Sequence, residues 1–242
     1  MVIKFMFCIF ILFTLFGCGG MSQAPNVSSL IQTNSATLIN GYAKDIFSQI
    51  VILRQKLEAR NPAYSDQDFK YTLSAILQHK SETFTPLSYK EYFKKSFDSA
   101  GYKYRNDTFI LGLYTLFYDA FRWDKNHKFT ALEYDGATLI EAHKIVQVVN
   151  WQLKNRKDDN GRYLFNTWQN NWQIELLSGK KIDELPSILS GKESFGNSSN
   201  CSFDAIFAVM LYALGNSIKL TGLEPETLST ESLKSLFFLL LL

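Results

Sequence analysis

Between Asp107 and Phe121 the chain is apolar nearly all the way round a helix, because Phe109, Ile110, Leu113, Leu116, Phe117 and Ala120 fall on more than one face. A helix with no polar face cannot sit on a surface and has to be enclosed by its neighbours. The fold therefore needs several further elements packed around a central helix. The remaining sequence offers these as amphipathic helices, which predicts an all-α, single globular multi-helix domain.

The surrounding pattern is readable segment by segment. From Thr37 onward, Ile46, Ile50, Leu53 and Leu57, with Phe47 beside them, repeat every three or four residues, and Asn61-Pro62 closes that helix. Ser65 with Asp66 and Asp68 reads as the start of a second helix, whose buried face would be Phe69, Leu73, Ile76 and Leu77. Ser88, three residues before Glu91, has the spacing of a capping box. It opens a helix carrying Tyr92, Phe93 and Phe97, which Gly101 is expected to stop. After Asp135-Gly136 comes a long amphipathic helix with Leu139, Ile140, Ile145, Val146, Val149 and Leu153. Its β-branched cluster alone would suit a strand, but length and spacing favour helix. Asp158-Asp159-Asn160-Gly161 is a turn. Beyond it the pattern predicts a helix from Leu164 to Leu177, a Gly- and Ser-rich loop from Ser190 to Asn200, an apolar helix from Phe203 and a last helix from Glu231. The end of that last helix, the apolar run Leu236 to Leu242, either docks into the core or forms an exposed tail. With 46% hydrophobic and 15% aromatic residues in 242, the chain has the material for a sizeable core. A formal net charge of +2 with interspersed signs leaves no electrostatic footprint for nucleic acid.

The first twenty residues follow different rules. Lys4, the apolar run Phe5 to Phe16 and the small residues Gly17, Gly19 and Gly20 have the layout of an export signal, and the run is too short to span a bilayer. Leu15-Phe16-Gly17-Cys18 resembles the lipobox of bacterial lipoproteins. That resemblance covers this segment alone. It implies cleavage after Gly17, lipidation of Cys18, and three regions: residues 1–17 as signal, 18–36 as lipidated cysteine and polar tether, and 37–242 as the helical domain. Two or more acyl chains, at about 0.8 kcal/mol per buried methylene, make such an anchor slow to release. In such families Asp after the cysteine favours the inner membrane. Gly19 in that place implies the outer membrane of a two-membrane host, with the domain facing the periplasm.

Residues that could carry chemistry are few. With Cys8 lost in the signal and Cys18 lipidated, Cys201 is the single thiol of the mature chain, so no disulfide framework forms within it. His79, His127 and His143 form no His-x-x-x-His or Glu-x-x-His pair, and the turn at Asn160-Gly161 fails as a calcium loop because Arg156 and Thr167 would fill its ligand positions. The residues thus call for no metal and no cofactor. Three functional readings stay open. The first is a structural or partner-binding lipoprotein with an envelope protein as partner. The second is recognition of an envelope glycan, peptidoglycan or lipopolysaccharide, through Trp168 and Trp172 on one helix face, with Asn166 and Gln169 among the surrounding amides. The third is a cysteine-dependent hydrolase, in which a helix N-terminus lowers the pKa of Cys201 and His143 or His127 acts as base.

Overall fold

The computed structural model describes residues 33–65, 87–123, 128–167, 176–181 and 203–241, all within one compact unit, Thr33–Leu242. The fold is all-α. Six helices occur among the described residues: α1 (Asn34–Arg60), α2 (Tyr89–Ser96), α3 (Arg105–Ala120), α4 (Gly136–Asn155), α5 (Phe203–Leu220) and α6 (Thr230–Leu241), with short 3-10 turns at Pro62–Tyr64 and Ala131–Glu133. The described residues contain no sheet, only an isolated antiparallel bridge between Lys157 and Tyr163.

Helix ends follow local chemistry. The Thr33 side chain accepts the Ala36 N–H at 3.3 Å and starts α1 three residues earlier than the periodicity suggests, so Ala36 is already fully buried. Ser88 and Glu91 form the expected capping box at α2. That helix stops at Ser96 rather than running on to Gly101, which takes a left-handed φ of 91° in the following turn. Asp135 caps α4 by accepting from the Ala137 and Thr138 amides. The β-branched cluster at Ile145 to Val149 lies inside α4, where it is buried as core.

α3 occupies the centre, with every residue from Arg105 to Phe117 buried, and it packs on α1, α2 and α4. α5 lies antiparallel along α1, pairing Tyr212 with Tyr42 and placing Phe203 beside Lys56, and its other side packs on α4. α5 is also apolar and long enough to cross a membrane, but Phe203, Ile206, Phe207, Met210, Leu214 and Ile218 are buried among its neighbours. At α2 and α3 the Phe93 ring sits so close to Gly112 that a Cβ there would lie 2.7 Å from it. α6 closes the bundle against α2 and α4, and its Phe237 docks edge-on to Phe97 with ring centroids 5.8 Å apart. The terminal run therefore does enter the core at Phe237, while the side chains beyond it lie outside the described residues.

One further sequence-based expectation changes. The segment predicted as a helix from Leu164 is not helical over Leu164 to Thr167. Its backbone is engaged elsewhere: the Leu164 N–H donates to the Arg156 carbonyl, the Leu164 carbonyl accepts from Arg105, and the Asn166 N–H donates to Asn61 Oδ1 at 2.8 Å. These partners outcompete the i to i−4 ladder. The expected helix over Phe69 to Leu77 and the loop over Ser190 to Asn200 lie outside the described residues.

Candidate functional site

Cys18, His79, His127, Trp168, Gln169, Trp172 and Cys201 all lie outside the described residues. Asn166 is described. Its N–H donates to Asn61 Oδ1 and its carbonyl accepts from Asn61 Nδ2 at 3.4 Å, which ties it to the C-terminal end of α1. It belongs to a buried polar joint. There Asn106 Nδ2 donates to the Leu57 and Asn61 carbonyls and to Ser65 Oγ, and Arg105, 2% exposed, donates through Nη1 to the Leu164 carbonyl and through Nη2 to the Asp98 carbonyl. The Arg105 guanidinium also lies over the Tyr64 and Phe165 rings, at 4.8 and 5.8 Å. Burial pushes the pKa of Arg105 down from its ordinary value. This cluster links the end of α1, the start of α3 and the segment after the 158–161 turn.

His143 is buried on α4. The Gln147 amide donates towards His143 Nδ1 at 3.1 Å, donates to the Glu226 carbonyl at 2.8 Å, and accepts from the Leu228 N–H through Oε1 at 2.9 Å. The pair thus pins the connection between α5 and α6 onto α4. Burial lowers the pKa of His143, against a smaller upward pull from a hydrogen bond to the Glu226 carbonyl. Among the described residues, no three His, Cys, Asp or Glu side chains converge in a way that could hold a metal ion.

A different kind of site occupies the other end of α4. A cleft of about 380 Å³ opens between the last turn of α4, the hairpin after it and α6. It is lined by Trp151, Gln152 and Asn155 of α4, by Arg156 and Lys157 just after it, and by Lys234 and Phe237 of α6. The hairpin is firmly built: Asp158 Oδ1 accepts from the Asn160 and Arg162 amides, the Asp158 N–H donates to the Arg162 carbonyl, and Gly161 takes the φ of 77° that the turn requires. Arg156 lies over the Phe237 ring at 5.6 Å and Lys157 over Tyr163 at 4.6 Å. Neither makes an ion pair among the described residues, and Lys234 has no polar partner there. By contrast, Lys144 on the same helix pairs with Glu226 at 2.6 Å, and Lys154 pairs with Asp204.

Sequence reasoning passed over this cleft. Its trace is the basic run Lys154-Asn155-Arg156-Lys157 before the turn, but Lys234 reaches it only through the packing of α6 on α4. No protein-family model matches this chain, and no curated protein or solved structure matches it significantly.

Proposed function

We propose that this chain is a lipid-anchored lipoprotein of the cell envelope, held through Cys18, whose helical domain faces the periplasm and has a binding rather than a catalytic role. The observation that carries the anchor is Leu15-Phe16-Gly17-Cys18 at the end of an apolar run too short to span a bilayer. The domain begins at the Thr33 cap. Fully extended, the polar residues from Cys18 to Thr33 reach at most roughly 50 Å, enough for the domain to meet a partner clear of the headgroups. Gly19 favours the outer membrane. In support of a binding role, the cleft beside α4 brings together cations without an ion-pair partner among the described residues, an aromatic ring and amides.

Metabolic labelling with palmitate tests the anchor. The wild type should take up label and partition with membranes, while Cys18→Ala should lose the label and become soluble. Equal labelling of the two, or none in either, would overturn it.

Glycan recognition is the second reading, and one specific observation favours it: Trp151, Gln152 and Asn155 line the same cleft. These are the side-chain types that suit sugar C–H faces and hydroxyls.

A further inference from the structure

We propose that the cleft formed by α4, the 158–161 hairpin and α6 binds an acidic saccharide, with a sugar ring stacked on Trp151 and its carboxylate or phosphate held by Arg156, Lys157 and Lys234. This deepens the binding role proposed above by naming the class of ligand.

Three cations line one cleft and none has a carboxylate partner among the described residues. Gathering like charges is unfavourable unless something offsets it. The negative end of the α4 dipole explains a cation at Arg156 and Lys157. It does not explain Lys234, which arrives on a separate helix. Among the described acids nearby, Asp158 accepts its own turn amides through Oδ1, Asp204 pairs with Lys154, and neither Asp159 nor Glu231, three residues before Lys234 on α6, forms an ion pair with these cations. Among the described residues, the charge balance of the cleft is thus left open for an incoming anion.

The rest of the lining narrows the choice of anion. Trp123, the other described tryptophan, packs edge-on to Phe47 at 4.9 Å. Trp151 is only partly buried and makes no ring contact among the described residues. A part-buried indole with the exposed Asn155 amide, whose Nδ2 donates to the Trp151 carbonyl and whose oxygen can still accept, suits the C–H face and hydroxyls of a sugar, which a bare inorganic anion would leave unused. A volume of about 380 Å³ falls at the small end of ligand pockets, which fits a short saccharide rather than an extended apolar ligand.

The test uses the full chain carrying Cys18→Ala, so that a failed anchor and a failed cleft are read separately: labelling of the wild type reports the first and titration of the variant reports the second. Glucuronate, glucose 6-phosphate, glucose and inorganic phosphate are each titrated by calorimetry, with tryptophan fluorescence as a second readout. Both acidic sugars should bind about tenfold or more tighter than glucose and inorganic phosphate, since each control lacks one of the two interactions. Trp151→Ala should weaken them about tenfold, Lys234→Gln should weaken them about threefold or more, and about 0.5 M salt should weaken them further. Circular dichroism should show both variants folded, and Trp151→Phe should retain part of the affinity. The proposal falls if inorganic phosphate matches glucose 6-phosphate, if glucose matches the acids, if affinity survives Trp151→Ala, or if neither acid binds up to about 50 mM.

Discussion

Arg105 and Arg156 stand at opposite kinds of helix end. Arg105 is the first residue of α3, where the dipole disfavours a cation, and Arg156 caps the C-terminus of α4, where the dipole welcomes one. Yet Arg105 is the more firmly held. It is buried, lies over two aromatic rings, and donates to two backbone carbonyls from separate segments. Arg156 has the favourable end and one ring, and it remains partly open. The helix-end rule, worth under about 1 kcal/mol at exposed sites, loses to the demand that buried carbonyls be paired. The contrast separates a closed polar joint, which holds the chain together, from an open cationic cleft, which holds nothing of its own.

The sharpest way to break that contrast is to truncate both arginines. Arg105→Ala should lower the unfolding free energy by about 2–4 kcal/mol, because it strips the donor from the buried Leu164 carbonyl, loses the bond to the part-buried Asp98 carbonyl and empties the space over the Tyr64 and Phe165 rings. Arg156→Ala should lower it by less than about 1 kcal/mol. Urea unfolding followed by circular dichroism reads both, and equal losses would mean the cleft is as structural as the joint.

A single added methyl sharpens the same contrast at a smaller scale. Gly112→Ala drives a Cβ to 2.7 Å from the Phe93 ring, where Phe93 is fully buried, and should destabilise by about 1–3 kcal/mol. Gly41, inside α1, has open space around its Cβ position, so Gly41→Ala should stabilise by about 0.5–1 kcal/mol. A matching pair of thermal melts checks the opposite signs.

The joint and the cleft also differ in how far they can be read from sequence. Short-range chemistry is legible: the Ser88 and Glu91 box, the Asp135 cap, the Asn61 stop and the all-round burial of α3 depend on neighbours within a few positions. What fails is what long-range partners decide. Leu164 to Thr167 carries a helical pattern of apolar residues, but its Asn166 amide answers to Asn61, 105 positions away. The glycan surface expected at Trp168 and Trp172 rests on residues outside the described set, apart from Asn166, whose backbone is tied into the joint. The cleft was hidden for the same reason. Its basic run looks like an ordinary solvated end of α4 until α6 brings Lys234 across.

His143 ties the comparison to pH. Its pKa in the folded chain lies below the ordinary 6.5, so between the two values the unfolded chain holds a proton that the folded chain does not. Stability from the neutral ring is therefore intact above pH 6.5 and diminishes as pH falls through the folded pKa. Protonation also sets an N–H against the Gln147 amide that pins Glu226 and Leu228. The capping carboxylates of Glu91, Glu133 and Asp135, held below their usual range by backbone and hydroxyl donors, lose their contribution only at lower pH. Denaturant midpoints from about pH 7.5 to about 5 should decline in the wild type and stay nearly level in His143→Gln. A parallel decline in both would assign the slope to other groups.

The smallest expected effect is the most telling for the cleft. Lys234 is exposed, has no polar partner among the described residues, and shares its cavity with two other cations. Removing its charge should relieve repulsion that grows as the Debye length lengthens. Lys234→Gln should therefore change stability by no more than about 0.5 kcal/mol, in the stabilising direction at low salt and towards zero as salt rises. Lys154→Gln removes a lysine from the same helix that is paired with Asp204, so it should shift stability the other way by a similarly small amount. Opposite signs in low-salt melts would show that one lysine is balanced within the fold while the other is held in readiness for a charge from outside. A destabilising Lys234→Gln would mean that α6 depends on this lysine for its own docking, and the cleft would then belong with the joint.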